Sequence, residues 1–272
     1  MGKSARLRSS DIRSLFRIAG ECRDLGDDPT TWRAHWFALL ARFTGADLVC
    51  GGEKAGVLVG TGRTIGVAAW GFEHGFDPTG WERSIEAYAR NPDYSPAESR
   101  YLDRVRAEGE QALARSDVMA DREWDRSPDY QDICRVIGIN HLTWSNHRIG
   151  PASADEHSAI LVMRAIGAPD FSAREKALIQ ASHDLIAPLV GGALAAFADP
   201  APTDLTPAIR RVLRSLLEGD SEKQIAARLG ISRHTVSEYV QRIYRHFRVT
   251  SRPELMARWL NRGWASRCAW DV

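Results

Sequence analysis

Nine polar side chains between positions 223 and 245 could contact a nucleic acid: Lys223, Arg233, His234, Thr235, Ser237, Glu238, Gln241, Arg242 and Arg245. Ser, Gln and Arg can exchange hydrogen bonds with base edges, and Glu238 can accept one from a cytosine amino group. Lys223, Arg242, Arg245 and Arg248 suit phosphate oxygens, contacts that fix register without reading sequence. From position 233 these residues alternate with Val236, Val240, Ile243, Tyr244 and Phe247, at i, i+4, i+7, i+8 and i+11. That spacing puts the apolar groups on one face of a helix and the polar groups on the other.

The neighbouring residues would hold such a helix in place. Thr206-Pro207 supplies an N-cap with proline at the first helical position, and Ile209, Val212, Leu213, Leu216 and Leu217 recur at helical spacing before Gly219 ends the run. Ser221 caps a second helix, with Ile225, Ala226 and Leu229 facing inward. Gly230-Ile231-Ser232 forms the turn: a residue free to turn left-handed, an apolar plug and the next cap. Ser251-Arg252-Pro253-Glu254 starts a fourth helix carrying Leu255, Ala257, Trp259 and Leu260. A short helix, a glycine turn and a longer helix make a helix-turn-helix, whose second helix enters the major groove.

The segment from Leu205 to about Gly263 resembles the LuxR-type (LuxR/FixJ) family of DNA-binding modules. The resemblance rests on Leu205-Thr206-Pro207, Val212-Leu213, Glu218-Gly219, Ser221, Lys223, Ile225-Ala226, Leu229-Gly230-Ile231-Ser232, His234-Thr235-Val236, Ile243-Tyr244, Val249-Thr250-Ser251-Arg252 and Glu254-Leu255. It implies base contacts from the start of the third helix and phosphate contacts around Lys223 and Thr235. The chain departs from the family pattern at Ile209-Arg210, where an acidic residue is usual after Thr-Pro-Arg, and at Ser237, Glu238 and Tyr239, where lysine is common after Thr-Val. Base preference therefore does not transfer from relatives.

The net charge of +1 conceals an asymmetry. Residues 205–272 carry 13 Lys and Arg against 6 Asp and Glu, whereas the preceding 204 residues carry 23 against 29. A basic C-terminal module on an acidic body is the electrostatic footprint of a nucleic-acid binder. The proline-rich stretch 199–204 reads as a linker. The expected organisation is thus a 1–198 domain, a 199–204 linker and a 205–272 four-helix DNA-binding domain. The N-terminus has no apolar signal region, and the chain has no apolar run long enough to span a bilayer. Cys22, Cys50, Cys134 and Cys268 form no Cys-x-x-Cys pair, so neither a zinc site nor a disulfide framework is expected. A reducing, cytoplasmic setting follows from that reading.

Upstream, Ser10–Leu25 reads as a helix with Ile12, Leu15, Phe16 and Ile18 on one side. Thr31–Phe43 reads as a second helix, capped by Thr31 and closed by Gly45. Runs at Asp47–Gly52, Val57–Gly60, Thr64–Phe72, Ile139–Ile149 and Ser158–Ala165 are rich in strand-forming residues. Thr79–Arg90 looks helical, and 91–130 is polar and unassigned. A long helix is expected from the capping box Ser172-Ala173-Arg174-Glu175 towards Phe197, interrupted at Pro188. This order fits an α+β domain with a central antiparallel sheet and flanking helices.

That domain resembles the GAF/PAS-like sensor domains found ahead of LuxR-type modules. The resemblance is carried by Asp121-Arg122-Glu123-Trp124, Ser127, Tyr130, Leu142 and Phe171-Ser172-Ala173-Arg174-Glu175. It implies a small-ligand or dimerisation role, with Trp70, Trp124, Tyr130 and Trp144 as candidate ligand-binding residues; core packing is the competing role for such aromatics. Phe76-Asp77-Pro78 followed by Trp81 and Tyr88 does not match the order of an acyl-homoserine-lactone pocket. The acidic pair, threonine and lysine of a phospho-receiver are missing. His141, His147, His157 and His183 lack metal-ligand spacing, and no glycine-rich phosphate loop occurs. Asp121, Glu123 and Asp125 surround Trp124 and read as a solvated loop. The expectation is a homodimeric, non-enzymatic transcription regulator without cofactor or metal. Double-stranded DNA is its main partner, RNA polymerase and a small ligand are further ones, and no membrane is involved. Two alternatives stay open: a protein-interaction module acting on the transcription machinery without DNA affinity, and an acyl-homoserine-lactone quorum-sensing receptor.

Overall fold

A computed structural model describes residues 6–59, 62–76, 79, 86, 95–150 and 155–264. The expected helix at 79–90 lies outside the described residues, apart from Thr79 and Glu86. Packing divides the chain into two compact units, one of residues 1–20 and 33–190, the other of 21–32 and 191–272.

The first unit is α+β. Its elements are most of α1 (Ser9–Asp24) and α2 (Pro29–Thr44), then β1 (Leu48–Ala55), β2 (Arg63–Trp70), α3 (Pro96–Glu108), β3 (Leu113–Ala114), β4 (Ile139–Ile149), β5 (Glu156–Ala165) and α4 (Ala173–Ile186). The five strands form one antiparallel sheet in the order β2-β1-β5-β4-β3. Cross-strand pairing sets Leu142 opposite Met163 and Trp144 opposite Leu161, with Ser145 opposite Ile160 on the alternate register. Because side chains alternate across a strand, Leu142 and Trp144 look to one face and Thr143, Ser145 and His147 to the other. The first face is covered by Ala97, Tyr101, Leu102 and Val105 of α3 together with Trp124, Cys134 and Ile137. Against the second lies α4, with α2 reaching it through Trp36, whose Nε1–H donates to Ser182 Oγ at 2.7 Å.

Several local expectations change. The cap of α2 is Asp28, whose Oδ1 accepts from the N–H groups of Thr30 (3.1 Å) and Thr31 (2.7 Å), so Thr31 lies inside the helix. Residues 57–59 form a turn and no strand, because Gly56 turns left-handed at φ 69° and directs the chain away from the sheet. The capping box at Ser172 and Glu175 forms, but α4 ends at Ile186 and Pro188 sits in a 3-10 turn, so no helix continues to Phe197. On α1, Leu15 and Ile18 are buried, whereas Ile12 and Phe16 are exposed. The unassigned polar stretch contains α3, started by the Ser95 side chain and Pro96 at the first turn.

The second unit holds α5 (Pro207–Glu218), α6 (Glu222–Leu229), α7 (Arg233–Phe247) and α8 (Arg252–Arg262). Their core is Ile209, Val212, Leu213, Leu216, Ile225, Val236, Val240, Ile243, Phe247, Leu255 and Trp259, most of the apolar stripes read from the sequence, whereas Ala257 and Leu260 of the fourth helix are exposed. Residues 199–204 are bonded within this unit: Asp199 takes two hydrogen bonds from Arg262, and the Ala201 carbonyl lies 2.8 Å from His246 Nε2.

Candidate nucleic-acid interface and cavity

Two caps fix the angle between α6 and α7. Gly230 closes α6 in the left-handed region at φ 66°. Two residues later the Ser232 hydroxyl accepts from Thr235 N–H at 3.0 Å and lies 2.9 Å from Thr235 Oγ1. Ile231 packs between them against the core. The sequence therefore produces a helix, a tight turn and a helix whose apolar face is anchored by Val236, Val240 and Ile243, which leaves its opposite face to solvent.

On that outer side Arg233, His234, Glu238, Gln241, Arg242 and Arg245 are exposed, as is Lys223 on α6; Thr235 and Ser237 are half-buried. Among the described residues no carboxylate pairs with Lys223, Arg233, Arg242 or Arg245, in contrast to Arg228, which is held 2.6 Å from Glu218 and 2.8 Å from Asp220. Unpaired exposed cations at the second helix of a helix-turn-helix can release counterions from a phosphate backbone. His234 Nε2 stands 3.6 Å from Glu238 Oε1 one turn away, so the acidic group at the reading face has a weak neighbour of its own. Arg248, at the end of α7, turns left-handed at φ 52° and is exposed.

The first unit contains a cavity of about 400 Å³ between the sheet and α3. Trp124 and Trp144 line it; of the other two aromatics singled out from sequence, Trp70 stacks edge-on against His74 and Tyr130 lies behind Trp124 at 5.7 Å, and neither reaches the wall. The rest of the apolar wall comes from Tyr101, Leu102, Ile133, Leu142, Ile160 and Met163. Its polar groups include Lys54, Glu98, Asp129 and Asn146. Asp129 is 7 % exposed and accepts a 3.3 Å bond from Ala97 N–H at the start of α3. Burial, with Glu98 nearby, pushes its carboxyl up to about 6 despite the bonds from Ser95 and Ala97. Cys50 and Cys134 also face the cavity, and burial raises both thiols far above the range of a reactive cysteine.

On the opposite face of the sheet, His183 of α4 is fully buried with Nδ1 2.9 Å from Ser145 Oγ and Nε2 3.0 Å from Ser158 Oγ. A neutral imidazole offers one donor and one acceptor, and each hydroxyl can complete either role. Burial, aided by His147 and Arg33, holds His183 well below the ordinary histidine range. His147 stacks edge-on against it at 4.4 Å and lies between Glu110 (2.9 Å) and Asp184 (3.2 Å). The histidine spacing in the sequence speaks only to metal ligation and does not disclose this polar junction. The residues meet through strand pairing and helix packing, which sequence spacing does not record. Among the described residues no group of three or more His, Cys, Asp or Glu is placed to hold a metal ion, and no helix is long and apolar enough to cross a membrane.

Comparison with known proteins identifies the C-terminal helices. Residues 203–258 match the family described as bacterial regulatory proteins, luxR family. No curated protein matches the chain. Among solved structures, the chain is similar to SdiA of Escherichia coli at 13% identity, covering 94% of this chain and 97% of that one with a TM-score of 0.38. It is also similar to SdiA in complex with octanoyl-rac-glycerol at 14% identity, covering 93% and 94%, with a TM-score of 0.39. Residues 203–258 are therefore a LuxR-family helix-turn-helix domain, and the family is one of DNA-binding transcription regulators.

Proposed function

We propose that this protein regulates transcription by reading duplex DNA with the outer face of α7 while its sheet unit binds a small ligand or pairs with a second copy of the chain. The observation that carries the reading is the row of solvent-facing Arg233, Arg242 and Arg245 on the second helix of a helix-turn-helix, with Gln241 among them and Lys223 on the first helix; among the described residues none of these cations has a carboxylate partner. In this reading the protein is a cytoplasmic homodimer without catalytic activity, and its two modules read half-sites about one helical turn apart. RNA polymerase is a further partner of a regulator bound near a promoter. The roughly 400 Å³ cavity is of a size that holds a small, mostly apolar molecule.

The division of labour on α7 is testable by anisotropy on a target duplex and a scrambled one. Thr235→Ala and Arg245→Ala are expected to weaken both by a similar factor, roughly three- to tenfold each. Gln241→Ala and Glu238→Ala are expected to change the target-to-scrambled ratio instead, at a scale of about 1–3 kcal/mol per base pair read. Equal behaviour of all four variants contradicts the assignment.

A second reading, a module that engages the transcription machinery without touching DNA, is separated by Lys223→Glu. A DNA binder loses affinity and the slope of log K against log salt becomes shallower by about one contact. A pure protein contact shows no such slope in either form.

A further inference from the structure

If the cavity beside α3 is the ligand site of the preceding reading, its polar groups restrict what it can hold. Among the described residues, one acceptor on its wall lacks a donor and one carboxylate lacks a cation. Asn146 is 2 % exposed and its Oδ1 has no hydrogen-bond partner among the described residues. The Asp129 carboxylate receives N–H and O–H groups from Ala97 and Ser95, but among the described residues no basic side chain pairs with it. The charged group nearest in effect is Glu98, another carboxylate. Lys54 is drawn to Glu98 at 2.9 Å, and Arg63, the other cation on the wall, is exposed at the end of β2. Among the described residues one negative charge thus faces an apolar space without a counter-ion, an arrangement that costs free energy until a cation arrives. The same wall carries the rings of Tyr101, Trp124 and Trp144, and the faces of such rings attract ammonium groups.

We propose, building on the ligand-site reading, that the cavity takes a small molecule with an apolar body and one protonated amine, its ammonium group ion-paired with Asp129. An ammonium group brings donors and a positive charge: among the described residues Asn146 Oδ1 lacks the first and Asp129 the second. An anionic ligand would meet Asp129 and Glu98, and a neutral alcohol would leave the Asp129 charge uncompensated. The pairing also has a proton signature. Burial pushes the Asp129 carboxyl up to about 6, and a bound cation favours its ionised form, so amine binding at pH 6 displaces a proton that alcohol binding leaves in place.

The test uses the full chain at pH 7.5 and three probes of matched size: 2-phenylethylamine, 2-phenylethanol and phenylacetate, followed by tryptophan fluorescence. The expected order is the amine at least tenfold tighter than the alcohol, with phenylacetate weakest. Asp129→Asn keeps an oxygen for the Ala97 N–H; it should lower amine affinity at least tenfold and leave alcohol affinity within twofold. Should that variant fail to fold, the ranking of the three probes on the unaltered protein decides alone. Alcohol binding as tight as amine binding overturns the ammonium proposal and leaves the cavity a ligand site. No binding by any probe overturns both.

Discussion

Phe247→Ala is expected to abolish DNA binding near 37 °C without removing a single charge from the interface. The ring is fully buried at the end of α7, packs edge-on against Trp259 of α8 at 5.1 Å, and sits among Ile243, Val240 and Leu255 in the core of the four helices. Truncating such a phenylalanine costs roughly 3–5 kcal/mol, since the lost transfer energy is joined by a cavity that rigid neighbours do not fill. A domain holds only about 5–15 kcal/mol in all. The loss therefore removes the rigid backing that aims α7. Phe247→Leu keeps most of the volume and should cost about 1.5 kcal/mol or less. Urea denaturation followed by circular dichroism, alongside anisotropy on duplex DNA, separates the two variants. Unchanged denaturation and binding for Phe247→Ala would remove the core just described from the account of how the interface is held.

The second large effect lies in the sheet unit. His183→Ala strips Ser145 and Ser158 of their shared partner and opens a space beside Trp36, whose ring centroid is 5.4 Å from the imidazole. Two unsatisfied buried hydroxyls together with the void amount to roughly 2–5 kcal/mol. The same residue sets a pH dependence. His183 and His157 are both held below the ordinary histidine value by burial, His183 far below it. A histidine whose folded pKa is depressed is protonated first in the unfolded chain. The stability it provides is complete above about pH 6.5 and falls away as the pH drops below that. The slope is at most about 1.4 kcal/mol per pH unit for each group. Asp129 works in the opposite direction: its raised pKa makes the folded state the better proton acceptor below about pH 6. The histidine effect is therefore cleanest between pH 7.5 and 6. Denaturation midpoints across that interval should fall for the unaltered chain and fall less for His183→Gln, which keeps a donor and an acceptor. Equal slopes in the two proteins would contradict the assignment.

The two units differed in how much of them the sequence disclosed. The helix-turn-helix was legible because its instructions are local. Gly219 and Gly230 stop helices by turning left-handed, Ser221 and Ser232 start them with side-chain caps, and Val236, Val240 and Ile243 repeat at helical spacing. Each signal spans four to eight residues and needs no distant partner. The sheet unit depends on pairings far apart in the chain. β4 and β5 read as strands, yet nothing local tells that Trp144 stands opposite Leu161 and near Tyr101. Val57 to Val59 has strand-forming composition, and one glycine at 56 converts it to a turn.

The cavity was half visible. Trp124 and Trp144 stand out as large aromatics, but Trp70 and Tyr130 share their type without sharing their place. Asp129 and Tyr101 lay hidden in a polar stretch, although a signal for α3 was present: Ser95-Pro96 as a helix start, then Ala97, Tyr101, Leu102 and Val105 as a buried stripe. The density of Arg, Asp and Glu on the outer face of that helix masked the stripe.

The measurement closest to the central claim is binding of the purified full chain to a pool of random duplex DNA at two salt concentrations, with sequencing of the bound fraction. A homodimeric DNA reader binds tightly, weakens steeply with salt, and enriches a motif with two-fold symmetry and half-sites about one helical turn apart. Absence of binding at both salt concentrations, by a protein whose C-terminal helices are folded, would contradict it.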